Sequence, residues 1–156
     1  MKKIFYTFLT LTFTVLFFGN GNAQSFDAKL SLILYDSFPG YPNSTPYNDS
    51  YAGRYRVTVP NNNTNIRVTH SIPTVLSDGN GHTIPFSIAS NNASYRLSGN
   101  LNVNGSTIFN PNNPFVVNTA GSNSVTFWLG GTVSPPTNAF PSNDYSGTIT
   151  ITAVIL

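Results

Sequence analysis

An all-β sandwich of antiparallel strands is the fold this chain predicts, on three observations. Apolar and polar residues alternate in short runs, turn residues interrupt them about every eight to twelve positions, and no stretch beyond the first two dozen residues carries a helical period. The alternation is plainest near the C-terminus. In Ser124–Val133, Val125, Phe127, Leu129 and Val133 share one phase, with Thr126, Trp128 and Thr132 on the other. After the breaker run Ser134–Asn138, the stretch Tyr145–Leu156 places Tyr145, Ile149, Ile151, Ala153 and Ile155 on one face and Ser146, Thr148, Thr150 and Thr152 on the other. β-Branched residues in strict alternation suit a sheet with one dry and one wet face.

The remaining elements follow in chain order. Ser25–Tyr35 reads as a strand with Phe26, Ala28, Leu30, Leu32 and Leu34 in phase. Asp36–Ala52 reads as a loop, because Pro39, Pro42 and Pro46 oppose regular pairing. Its length marks it as a loop with a function or with mobility. Gly53–Val59 puts Tyr55, Val57 and Val59 inward, with Arg54, Arg56 and Thr58 outward. Ile66–Ile72 follows, with His70 in the apolar phase. Asp78–Gly81 is a turn built from residues that accept positive φ, and Ile84–Ala89 is the strand after it. Tyr95–Val103, Thr107–Phe109 and Phe115–Asn118 complete a count of about eight or nine strands. No repeat of fixed period points to a solenoid or propeller.

Residues 1–23 read as a signal peptide. Lys2 and Lys3 form the basic end, Ile4–Phe18 the apolar stretch, and Gly19–Ala23 the small residues before a cut ahead of Gln24. The apolar stretch is short for a spanning helix and carries four threonines, so cleavage is expected and no stable membrane span afterwards. Residues 24–156 form one domain, large enough to bury roughly two-thirds of its unfolded surface. The formal charge of +2 comes from the leader. Beyond it, Lys29, Arg54, Arg56, Arg67 and Arg96 balance Asp27, Asp36, Asp49, Asp78 and Asp144, which leaves no basic surface for nucleic acid. The chain has no Cys, which excludes disulfides, thiol chemistry and a lipid-bearing cysteine.

Leu129–Val133, the Pro/Asn loop and the run Asp144–Thr152 together resemble the end of a secreted bacterial domain family of unknown function. That family looks related to the spore coat protein U domain and to the pilins of archaic chaperone–usher fimbriae. The shared pattern is a Gly-Gly-Thr strand, a loop, and a final Tyr-Ser-Gly-Thr strand alternating Thr with apolar residues. It is clear over about the last thirty residues, while Asn100–Gly105 and the first strand fit loosely. The chain departs from the pattern in its long Tyr/Pro loop and in lacking the Cys pairs that coat-U relatives often carry. The resemblance implies an immunoglobulin-like, pilin-like sandwich exported to the cell envelope, in the periplasm or on the outer surface. It also implies a non-catalytic, fimbria- or coat-like subunit that pairs with itself or related subunits by strand donation, aided by a periplasmic chaperone.

Two surfaces are candidates, one for that role and one for its alternative, a carbohydrate-binding adhesin. Phe26, Ala28, Leu30, Leu32 and Leu34 present a row of apolar side chains suited to a donor strand. The same alternation serves equally a strand that pairs within its own sandwich. The second is the 36–52 loop, where Tyr41, Tyr47 and Tyr51, with Asn43, Asn48 and Asp49 among them, would make a carbohydrate-binding surface of an adhesin. The plainer reading is a loop packing its own aromatics over the sandwich end.

Catalysis is not expected. There is no Gly-x-Ser-x-Gly elbow and no Glu, and Asp27 and Asp36 flank a strand rather than converge. No cofactor or metal site is expected either. His70 reads as a hydrogen-bonded core residue, and Asp78–Gly81 lacks the repeated acidic ligands and the closing Glu of a calcium loop. Asn43, Asn48, Asn62, Asn92 and Asn104 each begin an Asn-x-Ser/Thr triplet, which arises by chance in so Asn-rich a chain.

Overall fold

The computed structural model describes residues 6–10, 25–29, 31–35, 40–140 and 145–156, with side chains for 40–140 and 145–156. The expected cut ahead of Gln24, Leu30 of the donor-strand row, residues 36–39 of the loop and Asp144 lie outside the described residues. Fourteen strands run through them and no helix does: β1 (Tyr6–Thr10), β2 (Ser25–Lys29), β3 (Ser31–Tyr35), β4 (Asn43–Thr45), β5 (Gly53–Thr58), β6 (Asn65–Ser71) and β7 (Val75–Ser77), then β8 (Thr83–Ser87), β9 (Ala93–Arg96), β10 (Thr107–Ile108), β11 (Phe115–Asn118), β12 (Ser124–Leu129), β13 (Gly131–Val133) and β14 (Thr150–Ile155). All their pairings are antiparallel.

Alternation dictates the layers. In β5, Tyr55 and Val57 are buried, and in β6, Ile66, Val68 and His70 are buried while their neighbours are exposed. The five-stranded sheet β10-β9-β12-β5-β2 packs these inward residues against the three-stranded sheet β11-β6-β14, where Tyr55 meets His70. The sheet β4-β13-β8-β7 adds Leu76, Ile84, Phe86 and Val133 to the same core. The chain is thus an all-β, antiparallel sandwich. Phe127 stacks on Tyr55 at 4.7 Å, and Tyr95, Phe109 and Phe115 extend the aromatic cluster. Each large ring removed from water is worth several kcal/mol at about 25 cal/mol per Å², so this cluster anchors the two layers together.

Several strands differ from the periodic reading. Ser124–Val133 is two strands, broken at Gly130. β12 pairs with β5 and β9, and β13 with β4 and β8. A side chain at Gly130 would collide with the Asn92 carboxamide and the Thr45 carbonyl, so only glycine fits where the chain changes sheet. The two C-terminal stretches do not pair with each other, since β14 lies beside β6. Regular pairing begins only at Thr150, after a bridge between Ser77 and Ser146, yet Tyr145, Ile149, Ile151 and Ala153 are buried as the alternation requires.

The first strand is also divided. Ser25–Lys29 pairs with β5 in the chain's own five-stranded sheet, while Ser31–Tyr35 pairs with Tyr6–Thr10, inside the expected leader. Two short strands escaped the periodic reading. Asn43–Thr45 sits between Pro42 and Pro46 and pairs with β13; Val75–Ser77 pairs with β8. Three residues are too few to show a period.

Candidate functional site

Trp128 occupies the polar phase of β12, yet it is only 4% exposed. Its face of the five-stranded sheet is not wet because two loops fold over it. Between them lies a cleft of about 290 Å³, lined by Asn48, Asp49, Ser50, Ala52, Arg54, Leu101, Asn102, Val103 and Trp128. Register supplies the floor, since Trp128 of β12 stands directly opposite Arg54 of β5.

One wall is the 46–52 turn. Asn92 holds it from below: its Oδ1 accepts the Tyr47 N–H at 2.7 Å and its Nδ2 donates to the Thr45 carbonyl at 3.1 Å. The Asn92 carbonyl accepts the Gly130 N–H at 2.9 Å, which ties the same residue to the switch between β12 and β13. Within the turn, Asp49 Oδ1 accepts the Tyr51 N–H at 2.9 Å and the Ser50 hydroxyl at 3.3 Å. An Asx turn of this kind sets the local chain direction without other structure.

The other wall is the 98–106 segment. Successive polar side chains cap the backbone two residues on: Ser98 Oγ accepts from Asn100 N–H, Asn100 Oδ1 from Asn102 N–H, and Asn102 Oδ1 from Asn104 N–H. Three groups of the underlying sheet clamp it. Arg96 donates to the Asn102 and Asn104 carbonyls at 3.1 and 2.7 Å, Arg56 to the Gly99 carbonyl at 3.4 Å, and the Thr126 hydroxyl to the Ser98 carbonyl at 3.0 Å. Both walls are therefore positioned by named side chains, which is what a preorganised site requires. This segment also ends β9 at Arg96, well short of the expected Val103.

No hydrogen bond or ion pair to the Arg54 guanidinium, the Trp128 indole or the Asn48 carboxamide forms among the described residues. An indole surface, two amides, a carboxylate and a guanidinium are the groups that stack on and hydrogen-bond to a sugar ring. The expected loop does contribute, but through Asn48, Asp49 and Ser50. Tyr41 is exposed, Tyr51 partly so, and neither they nor Tyr47 lines the cleft. Arg54, Trp128 and Asn102 were not anticipated. The available signal was a tryptophan and an arginine on the polar phases of two strands, where nothing apolar was expected to cover them.

Two other clusters are structural. The Tyr55 hydroxyl lies 2.6 Å from His70 Nε2. Burial holds the Tyr55 phenol well above its ordinary pKa and pushes His70 down to about 4, partly offset by the Pro111 backbone. The neutral phenol therefore donates to a neutral imidazole whose proton sits on Nδ1, a buried atom without a well-formed hydrogen bond. This is the core histidine the sequence indicates. In the Asp78–Gly81 turn, Asp78 accepts the Asn80 and His82 N–H groups at 2.9 and 3.1 Å and lies 2.7 Å from His82 Nδ1. Burial alone would raise the Asp78 pKa; the hydrogen bonds from the His82 side chain and these two N–H groups outweigh it and hold it low. His82 stacks on Phe140 at 4.0 Å. Asp78 thus serves as the turn's cap, and no group of three or more potential metal ligands occurs among the described residues.

No protein-family model, curated protein or solved structure matches this chain.

Proposed function

We propose that the chain is an exported, non-catalytic surface module whose cleft binds carbohydrate. The observation that carries this reading is the cleft itself: two loops clamped by Asn92, Arg56, Arg96 and Thr126 hold polar groups unengaged among the described residues, beside the single tryptophan. Small-molecule sites begin at about 300 Å³. A cleft of about 290 Å³ accordingly suits one or two sugar rings rather than a long chain. A glycan array probed with native protein and with an Asn48→Ala/Asn102→Ala variant tests it. Binding by the native protein and its loss in the variant are expected. Binding that survives the variant, or none by either protein, rejects the reading. Because the tyrosines stand outside the cleft, Tyr41→Ala/Tyr47→Ala should bind as the native chain does.

A second reading, an assembling fimbria- or coat-like subunit, is favoured by the division of the first strand. Ser31–Tyr35 has Tyr6–Thr10 as its ladder partner, and that partner departs if the leader is cleaved. An unpaired strand edge is a template for another chain. Such a subunit would be immunoglobulin-like in topology and would need a periplasmic chaperone until assembled. Negative-stain imaging of the chain from Gln24 onward, with and without a peptide spanning Gln24–Tyr35, distinguishes the cases. Filaments or peptide capture support assembly; a strict monomer indifferent to the peptide opposes it.

A further inference from the structure

We propose that the cleft selects acidic sugars, with the Arg54 guanidinium taking a carboxylate of the ligand. This rests on the sugar-site reading above and adds the ligand's charge.

Three observations lead to it. First, Arg54 differs from its neighbours in use. Arg56 and Arg96 donate to carbonyls of the 98–106 wall, whereas Arg54 forms no hydrogen bond or ion pair among the described residues. Second, the carboxylate within reach does not neutralise it. Asp49 also lines the cleft, but its Oδ1 accepts from its own turn, and no Asp49–Arg54 ion pair is formed. Third, the register of β2 on β5 places Lys29 directly opposite Arg54. Arg54 is thus flanked in the ladder by a lysine and a tryptophan position rather than by an acidic residue.

The chemistry follows. A planar guanidinium takes a carboxylate through two parallel N–H···O bonds, stronger than neutral ones and geometrically selective. Trp128, only 4% exposed, gives the cleft an apolar floor rather than an open stacking face. Asn102 spends Oδ1 on the Asn104 N–H, so its Nδ2 donors remain for ring oxygens, and the Asp49 carboxylate accepts sugar hydroxyls. Neutral sugars satisfy the amides and Trp128 but leave Arg54 without its partner.

Isothermal titration with a digalacturonate, its fully methyl-esterified form and a neutral disaccharide tests the proposal on the chain from Gln24 onward. The acid should bind at least about tenfold more tightly than the ester, as expected for a charge-assisted pair. Arg54→Gln should abolish that preference, and Arg54→Lys should restore part of it, since a point charge replaces the fork. Thermal melts of both variants within a few degrees of the native protein would show that folding is intact. Equal affinity for acid and ester overturns the charge proposal and leaves the sugar site standing. A preference for acid that survives Arg54→Gln overturns it too, by placing the selecting charge elsewhere. No binding by any of the three ligands overturns both.

Discussion

His70 and Tyr55 illustrate how one buried pair sets an acid limit on the fold. His70 titrates near 4 in the folded chain against about 6.5 when unfolded, so between these values the unfolded chain holds the extra proton. Stability is then complete above about pH 6.5 and falls as pH drops toward 4, by about 3 kcal/mol in all. Urea melts of the native chain at pH 7.5 and pH 4 should show that loss, and a Tyr55→Phe/His70→Phe double variant should show a smaller one. The difference between the two losses isolates the contribution of His70. Tyr55→Phe alone strands the buried Nε2 acceptor and should cost about 1–3 kcal/mol, whereas the double variant removes both partners and should cost less than the sum of the singles.

At the scale of elements, Gly130 decides where one strand ends and the next begins. Gly130→Ala should cost about 1–3 kcal/mol as a forced overpacking against Asn92 and Thr45. Because Asn92 also holds the 46–52 turn, the same variant should weaken ligand binding, measurable by titration beside the thermal melt. On β14, Ile151→Asp should prevent folding, since it strands a charge at a fully buried position. Thr150→Asp, half-buried on the other face, should leave a cooperative melt. The same elements show what was legible in the sequence. Gly53–Thr58 and Asn65–Ser71 lie within a residue of their expected spans because their alternation is uninterrupted, and Phe115–Asn118 matches its span because the breaker run Asn110–Pro114 fixes its start. The break at Gly130 was not legible: alternation continues through it, and its cause is the approach of Asn92 and Thr45 from 38 and 85 positions away in sequence (130 − 92 and 130 − 45). Nor was β12's burial on both faces, since the loops that cover Thr126 and Trp128 come from distant parts of the chain. The site was half legible for the same reason. Asn48 and Asp49 stood out within their loop, but only the folded chain brings Arg54, Asn102 and Trp128 to them.

For the molecule as a whole, the two halves of the first expected strand differ in how firmly each is held. Ser25–Lys29 lies on β5, a strand whose inward residues are core, whereas Ser31–Tyr35 depends on a ladder with Tyr6–Thr10. If the leader is removed, amides in 31–35 should exchange with solvent far faster than those in 53–58, as a region that has lost its strand partner does. Hydrogen exchange on the chain from Gln24 onward reads this directly. Slow exchange in 31–35 that does not depend on protein concentration would show that the strand needs no partner, and the assembly reading would lose its support. The cleft lies on the outer face of the five-stranded sheet, over β5 and β12, and no residue of 31–35 lines it. The proposed binding and the proposed assembly would therefore use separate parts of one scaffold.

The cleft has a built-in reporter, because Trp128 is the sole tryptophan of the chain and lines it. Titrating the protein with digalacturonate and with a neutral disaccharide while following tryptophan emission is the most direct test. A saturable change in intensity or wavelength with at least one of them, absent from the Asn48→Ala/Asn102→Ala variant, is the predicted result. Emission that stays constant while calorimetry records binding would place the ligand elsewhere on the molecule and contradict the assignment of the cleft.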